Sequence, residues 1–423
     1  MTIKQKEAAY ARGIAKGREA LVRKELTPEW REALVGWCRL SYPRSADLDI
    51  EAEIVSLDAE RLANPPNIIV YPETRGLPDL VRSERQGFLK GAGCDEHAMA
   101  FHYTHFFYCT RRLNARYAGS SPINLQANHC TSVYIRDSSE GGALFGRTLD
   151  DVRPAPELEA PLLKVPPDVS SRKSSSVFPA GNWPWTQVNE RWILHDHVSS
   201  AVIGDEEPRE IFPVDVWDIM PDDCLTAANY MEFLTRYNDF WGPCNGLMVD
   251  EDGNSLTYEK SNCRIGVSPS TDGTAAITAC AYLIPAMHEF KNQCARRVLA
   301  DDALDWEYWR GCETRYRRLL QLTNEANNRG ATLNDMAAIV IDHAVPFPDR
   351  ICLAGEKMGD EELANWTQTS LAAVITGPAR RTLFWRVEGD TACYENLPFL
   401  IPGEGVDVLP EWKKDARTNT VTS

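Results

Sequence analysis

The chain has no apolar run of about 18 residues, the length that a membrane-crossing helix needs. Met1 to Glu19 holds no apolar core of the kind found in a secretory leader. The closing Thr420-Val421-Thr422-Ser423 is not a peroxisomal tripeptide. Together these absences predict a cytoplasmic protein with no membrane partner.

Positive charge is also in short supply. The 45 Lys and Arg stand against 61 Asp and Glu, for a formal net charge of -16. Binding to a polyanion depends on a cationic footprint, so no nucleic acid is expected as a partner. Basic residues do gather between Lys4 and Lys24, but Glu7 and Glu19 interrupt them and the stretch reads as a solvated helix face. Gly91-Ala92-Gly93 is too slight for a phosphate loop.

Metal-ligand spacing is missing as well. The 12 cysteines include no C-x-x-C pair and lie too irregularly for the disulfide framework of a small secreted domain. Of the 8 histidines, His102 and His105 sit at helical spacing inside an aromatic run, where a hydrogen-bonded core role is expected. With His97 and the His195-Asp196-His197 run they could be assembled on paper into a metal site, but the core role is the preferred reading, and Asp95 and Glu96 read as first-turn helix charges instead of ligands. We expect no metal and no other cofactor.

What remains is an ordinary globular composition, 43% hydrophobic and 25% charged. The first 120 residues read as mostly helical: Glu7 to Glu25, Pro28 to Leu40 with Thr27 as cap, Glu51 to Ala63, Leu77 to Lys90 and Glu96 to Asn114. From Cys130 the period shifts toward strands. Residues 151–190, with seven prolines from Pro154 to Pro184 and a serine cluster, read as a long irregular insertion. A strand pair is expected from Trp192 to Ile203, a helix from Cys224 to Tyr237, and strands at Leu247 to Asp250, Ser255 to Tyr258 and Ala275 to Leu283. Helices then fit Pro285 to Ala300, Asp305 to Asn328 and Leu333 to Asp342, with a last β pair at Ala372 to Ile375 and Thr382 to Val387. The fold class is α+β.

One stretch speaks of chemistry. Cys130-Thr131-Ser132 leads into the β-prone Val133-Tyr134-Ile135, Asp137 to Gly142 supply a turn, and Ala143 to Phe145 return toward Gly146-Arg147-Thr148-Leu149-Asp150. Such a hairpin brings Arg147 and Asp150 back near Cys130. A thiol is a useful nucleophile when its thiolate is favoured and its proton has an acceptor, and a guanidinium and a carboxylate can meet those needs.

This run resembles the N-terminal signature of the cysteine-type Ntn hydrolases, in particular the acyl-CoA:6-aminopenicillanic acid acyltransferase-like group, with choloylglycine hydrolases and penicillin V acylases as relatives. The passage from Asn245-Gly246-Leu247 through Asp250 and Gly253 to Glu259 is similar to that group's "Asn-Gly-Leu, strand, Asp-x-x-Gly turn, strand, Glu" pattern. The likeness covers roughly Cys130 to Leu283, with Thr382 to Val387 near the end. It implies a four-layer αββα sandwich over 130–423, behind a mostly helical propeptide or α-subunit at 1–129.

It further implies a self-inflicted cut between His129 and Cys130. Cys130 would then begin the mature chain, with its own α-amine as base. That amine has a reference pKa of about 7.7 to 8.0, against about 8.5 for a thiol. In family terms Asp150 holds the α-amine, and Arg147 stabilises the thiolate or a substrate carboxyl. Asn245 and the backbone N–H groups around Thr131 donate to the oxyanion. The implied partner is a small N-acyl amide or acyl-thioester, and a homo-oligomer or a self-cleaved heterodimer is compatible with it.

In one place the sequence departs from the family. A Thr-Asn pair on the next strand is replaced by Ile277-Thr278-Ala279-Cys280, with no amide side chain. An uncut cysteine enzyme using internal Cys130 with another base, and a non-catalytic binding protein on the same scaffold, are therefore the competing readings.

Overall fold

The computed structural model describes residues 2–41, 49–63, 77–104, 130–139, 141–152, 174–180, 183–189, 193–199, 226–236, 244–261, 264–279, 281–298, 303–340, 342, 344–345, 351, 368–376, 381–388, 391–395, 413–415 and 420–422. Helix and antiparallel sheet are mixed, as an α+β chain requires. The helical first region holds α1 (Ile3–Val22), α2 (Pro28–Ser41), α3 (Ile50–Ala63) and α4 (Leu77–Ala92), followed by a helical stretch at 96–104. Thr27 caps α2 as expected, its hydroxyl accepting from Trp30 N at 3.2 Å. Asp95 does the same for Ala98 N at 2.8 Å.

α1 and α4 run parallel in backbone contact. A Cβ added at Gly13 would lie 1.9 Å from Glu84 O, and one at Gly91 would lie 2.1 Å from Ile14 O. Only glycine permits that approach. Around the crossing, Glu84 accepts from Lys16 Nζ at 2.8 Å, Arg12 Nε at 2.9 Å and the Tyr103 hydroxyl at 3.3 Å. His102 stacks on Phe88 with ring centroids 4.9 Å apart, inside this helical layer. His105, and the predicted helix beyond residue 104, lie outside the described residues.

Two sheets follow. The strands are β1 (Thr131–Ser138), β2 (Gly142–Val152), β3 (Ser174–Ala180), β4 (Trp183–Asn189), β5 (Leu194–Ser199), β6 (Cys244–Val249), β7 (Ser255–Lys260), β8 (Ile265–Pro269) and β9 (Thr274–Thr278). Near the carboxyl end come β10 (Gln368–Thr376), β11 (Arg381–Glu388), β12 (Thr391–Glu395), β13 (Lys413–Asp415) and β14 (Thr420–Thr422). The larger sheet is ordered β14-β13-β12-β11-β10-β2-β1-β9, and the smaller β3-β4-β5-β6-β7-β8.

Four more helices are α5 (Ala227–Arg236), α6 (Pro285–Val298), α7 (Ala303–Asn328) and α8 (Leu333–Val340). Val133 and Ile135 of β1 and Leu144 of β2 are fully buried against Leu319 and Ala326 of α7 and Met336, Ala337 and Val340 of α8. Gly146 is required there, because a Cβ on it would stand 2.6 Å from both Met336 Sδ and Val340 Cγ1. The other face of β1 turns to the smaller sheet, where the Tyr134 hydroxyl donates to Gly253 O at 3.2 Å.

Part of the expected insertion at 151–190 is ordered sheet. Residues 174–180 and 183–189 pair as a hairpin, with Ser174 opposite Asn189 and Pro179 opposite Pro184. The seven prolines of that segment argued against strands, but Pro179 is on the edge strand and both sit at the turn end, where a missing N–H costs the ladder least. Val177, Thr186 and Val188 carry the β preference. Of the expected strand pair at Trp192 to Ile203, the described residues hold one strand, β5, with residues 192 and 200–203 outside them, and β8 was not anticipated.

Candidate active site

The hairpin carrying Cys130 forms, and is longer than its local signals required. In β1 and β2, Thr131 pairs with Thr148, Ser132 with Arg147 and Val133 with Gly146. β9 flanks β1 on its other side, with Thr131 opposite Thr278. Just beyond, Ala279 N donates to Cys130 O at 2.8 Å, which holds the Cys130 main chain to the segment after β9 although Cys130 precedes the strand. Its side chain is 1% exposed and not in a disulfide.

Strand alternation turns Cys130, Ser132 and Tyr134 to the same face, toward the smaller sheet. Arg147, opposite Ser132, projects that way too. Its Nη1 donates to the Asp196 carboxylate and, at 2.9 Å, to His197 O. The second oxygen of Asp196 accepts from the Ser132 hydroxyl. Arg147, Asp196 and Ser132 are each 0% exposed. A buried ion pair of this kind persists only when further hydrogen bonds satisfy its charges, and here Ser132 and a main-chain carbonyl supply them.

Asn245 enters from β6, opposite Val198 on β5 and Glu259 on β7. Its Nδ2 donates to Thr278 O at 2.8 Å and to Ala281 O at 3.0 Å, bracketing the residue that holds Cys130 O. Glu259 braces the same segment from below, its carboxylate accepting from Leu283 N at 2.6 Å and Ile284 N at 2.9 Å. Thr131 N donates to the Thr148 hydroxyl at 3.1 Å. Both groups expected to donate to an oxyanion, Thr131 N–H and the Asn245 amide, therefore already have acceptors in this chain.

Asp150 lies on β2 three residues past Arg147, in register with Ser370 of β10. His129 lies outside the described residues. Two residues of the cluster escaped the sequence reading, Ser132 and Asp196. The first was available from alternation, being two places after Cys130. An acid in the middle of a β-prone run, between two histidines, was the signal for the second.

His195 and His197 alternate to the far face of β5, away from Arg147's side chain. His195 Nε2 meets the Tyr258 hydroxyl at 2.8 Å, and its ring lies 5.0 Å from that of Tyr230 on α5. Burial first, and then the nearby Arg147 charge, pushes the His195 pKa down to about 3. His197 is held well below the usual imidazole range by burial, by His195 and by Arg147. Both rings are neutral near pH 7. Rings that resist protonation this strongly, and that lie on the face of β5 away from Asp196, are poor acceptors for a thiol proton, so Cys130 needs some other base. Gly246 makes room for this layer, since a Cβ there would stand 1.9 Å from the Tyr258 ring.

Among the described residues no group of three or more His, Cys, Asp or Glu side chains is placed to hold a metal ion. No described helix is long and apolar enough to cross a membrane.

No family model matches the sequence, and no curated protein matches it. Among solved structures, a mutant of conjugated bile acid hydrolase from Clostridium perfringens is similar at 11% identity and a TM-score of 0.39, over 67% of this chain and 97% of that one. A second variant of that hydrolase is similar at 10% identity and a TM-score of 0.34, over 64% of this chain and 87% of that one. Penicillin V acylase from Agrobacterium tumefaciens is similar at 11% identity and a TM-score of 0.31, over 69% of this chain and 84% of that one. The chain's own geometry supplies a buried cysteine whose main-chain carbonyl is held by Ala279, and a buried arginine–carboxylate pair and an asparagine that join the smaller sheet to the larger.

Proposed function

We propose that this chain is a self-processing, N-terminal-cysteine amidohydrolase or acyltransferase of the Ntn type, acting on the C–N bond of a small N-acyl substrate. The observation that supports the reading is the position of Cys130, directly before a strand flanked on both sides and two residues before Ser132, whose hydroxyl donates to the Asp196 carboxylate that pairs with Arg147. The same reading takes the fold as a four-layer αββα sandwich, 1–129 as a helical pro-region and 130–423 as the catalytic domain. It takes the setting as cytoplasmic.

Maturation comes first. The Cys130 thiol attacks the carbonyl carbon of His129, the bond from that carbon to the Cys130 nitrogen breaks, and the nitrogen leaves as a free amine. Water then opens the thioester, leaving a carboxylate on His129 and restoring the thiol. In turnover the new α-amine takes the thiol proton and Sγ attacks the substrate carbonyl. The scissile nitrogen leaves with that proton, and water or another amine releases the acyl group from sulfur. Asp150 holds the α-amine in this scheme, and Arg147, kept in place by Asp196, offsets the negative charge that develops. Before the cut the Cys130 nitrogen is an amide and accepts no proton, so the uncut chain is a zymogen.

Intact mass of the purified full chain tests this. Two fragments meeting between His129 and Cys130, and an uncut Cys130→Ala variant, are the expected results. An uncut wild-type chain whose Cys130 still takes an acyl group from a thioester probe would mean an internal cysteine enzyme. A whole and unreactive chain would favour the second reading, a non-catalytic binding protein, for which the occupied donors of Thr131 and Asn245 already speak.

A further inference from the structure

We infer that Asn245 Oδ1 accepts the N–H of the scissile amide, which makes secondary N-acyl amides, and not esters or N,N-disubstituted amides, the substrates selected by this site. The inference rests on the reading of Cys130 as nucleophile. An asparagine amide has two protons and one strong acceptor oxygen. Both protons are committed, one to Thr278 O at 2.8 Å and one to Ala281 O at 3.0 Å. The amide cannot be turned over, because its oxygen would then face two carbonyl oxygens and both would lose their donor.

Oδ1 is left buried with no hydrogen-bond partner among the described residues, on a side chain 1% exposed. An unsatisfied buried acceptor is costly, and a catalytic or ligand-binding role is one of the reasons a protein keeps it. Its location indicates which ligand. Thr278 and Ala281 stand on either side of Ala279, whose N–H holds Cys130 O, so Asn245 is braced against the segment that fixes the nucleophile.

With no proton to give, Asn245 cannot serve an oxyanion. It can serve a donor, and in the acyl substrate the donor beside the attacked carbon is the amide N–H. A tertiary amide brings a methyl group to Oδ1 and an ester brings a lone pair. Both leave the acceptor unsatisfied.

The test uses purified processed wild-type protein with hexanoyl-para-nitroanilide, its N-methyl counterpart and para-nitrophenyl hexanoate. The inference expects kcat/KM for the secondary anilide to exceed that of the N-methyl compound by about 10,000-fold, the scale on which sites built for an N–H reject analogues lacking it. In Asn245→Ala that ratio should collapse because the secondary anilide slows, by a factor well above any slowing of the ester. Wild-type rates for the two anilides within about threefold overturn the inference without any variant. So does a collapse caused by the N-methyl compound speeding up, which marks a steric effect. A loss shared equally by anilide and ester also overturns it, and places Oδ1 on the Cys130 amine instead. Failure of the ester to acylate Cys130 removes the nucleophile itself and is told apart by that missing adduct.

Discussion

Replacing Asp196 by alanine leaves Arg147 as a cation in a site where both partners are fully buried. Removing one member of such a pair costs about 3–5 kcal/mol, because the remaining charge has lost its counterion and has no access to water. Ser132 loses its acceptor in the same change, which places the expected loss in the upper half of that range. The measurement is reversible urea unfolding on a Cys130→Ala background, so that chain cleavage does not enter the transition. The informative partner is the double variant Arg147→Met, Asp196→Leu. If the loss comes from an uncompensated charge, removing both charges should recover most of it. A single variant that loses less than about 1 kcal/mol refutes the premise that the pair is desolvated. A double variant as unstable as the single one refutes the electrostatic explanation and leaves packing as the cause.

Gly146→Ala forces a methyl group into Met336 and Val340 and should cost about 1–3 kcal/mol in the same assay, relieved in some measure by Met336→Ala. The folded pKa of His195 near 3 lies below the 6.5 of a free imidazole, so the unfolded chain binds more protons between these values. Its contribution to stability is therefore complete above pH 6.5 and is lost as pH falls toward 3. His195→Phe should weaken the drop in stability between pH 7 and pH 5, and an unchanged drop counts against a buried neutral ring. Cys244, its pKa pushed up to about 11 chiefly by burial, should resist iodoacetamide at pH 8 in the folded protein and react on unfolding, as peptide mapping would show.

How much of this was legible in the sequence depended on how far apart the deciding residues are. The β1–β2 hairpin was readable because Val133 to Ile135, the turn and the return are consecutive, and the pairing of Arg147 with Ser132 follows from them. Its full length was not, since β2 runs on to Val152 only because β10, from residues 368–376, supplies a second ladder. The hairpin at 174–189 was masked by prolines, whose effect depends on whether a strand is an edge. Asp196 was hidden by its histidine neighbours, and only the stacking of one sheet on another reveals that it meets Ser132 and Arg147. For Asn245 the residue was legible but not the use of its atoms, which is decided by two carbonyls more than thirty residues downstream.

The parallel crossing of α1 and α4 joins segments about seventy residues apart through four glycines, Gly13, Gly17, Gly87 and Gly91. Main chain lies against main chain there, and the salt links of Glu84 and Arg85 with Lys16, Arg12 and Asp58 lock the surrounding helices. These described helices thus share an inner skeleton of main chain and buried charge. Bulkier side chains at those four positions would push the two helices apart and loosen the packing that Glu84 ties together.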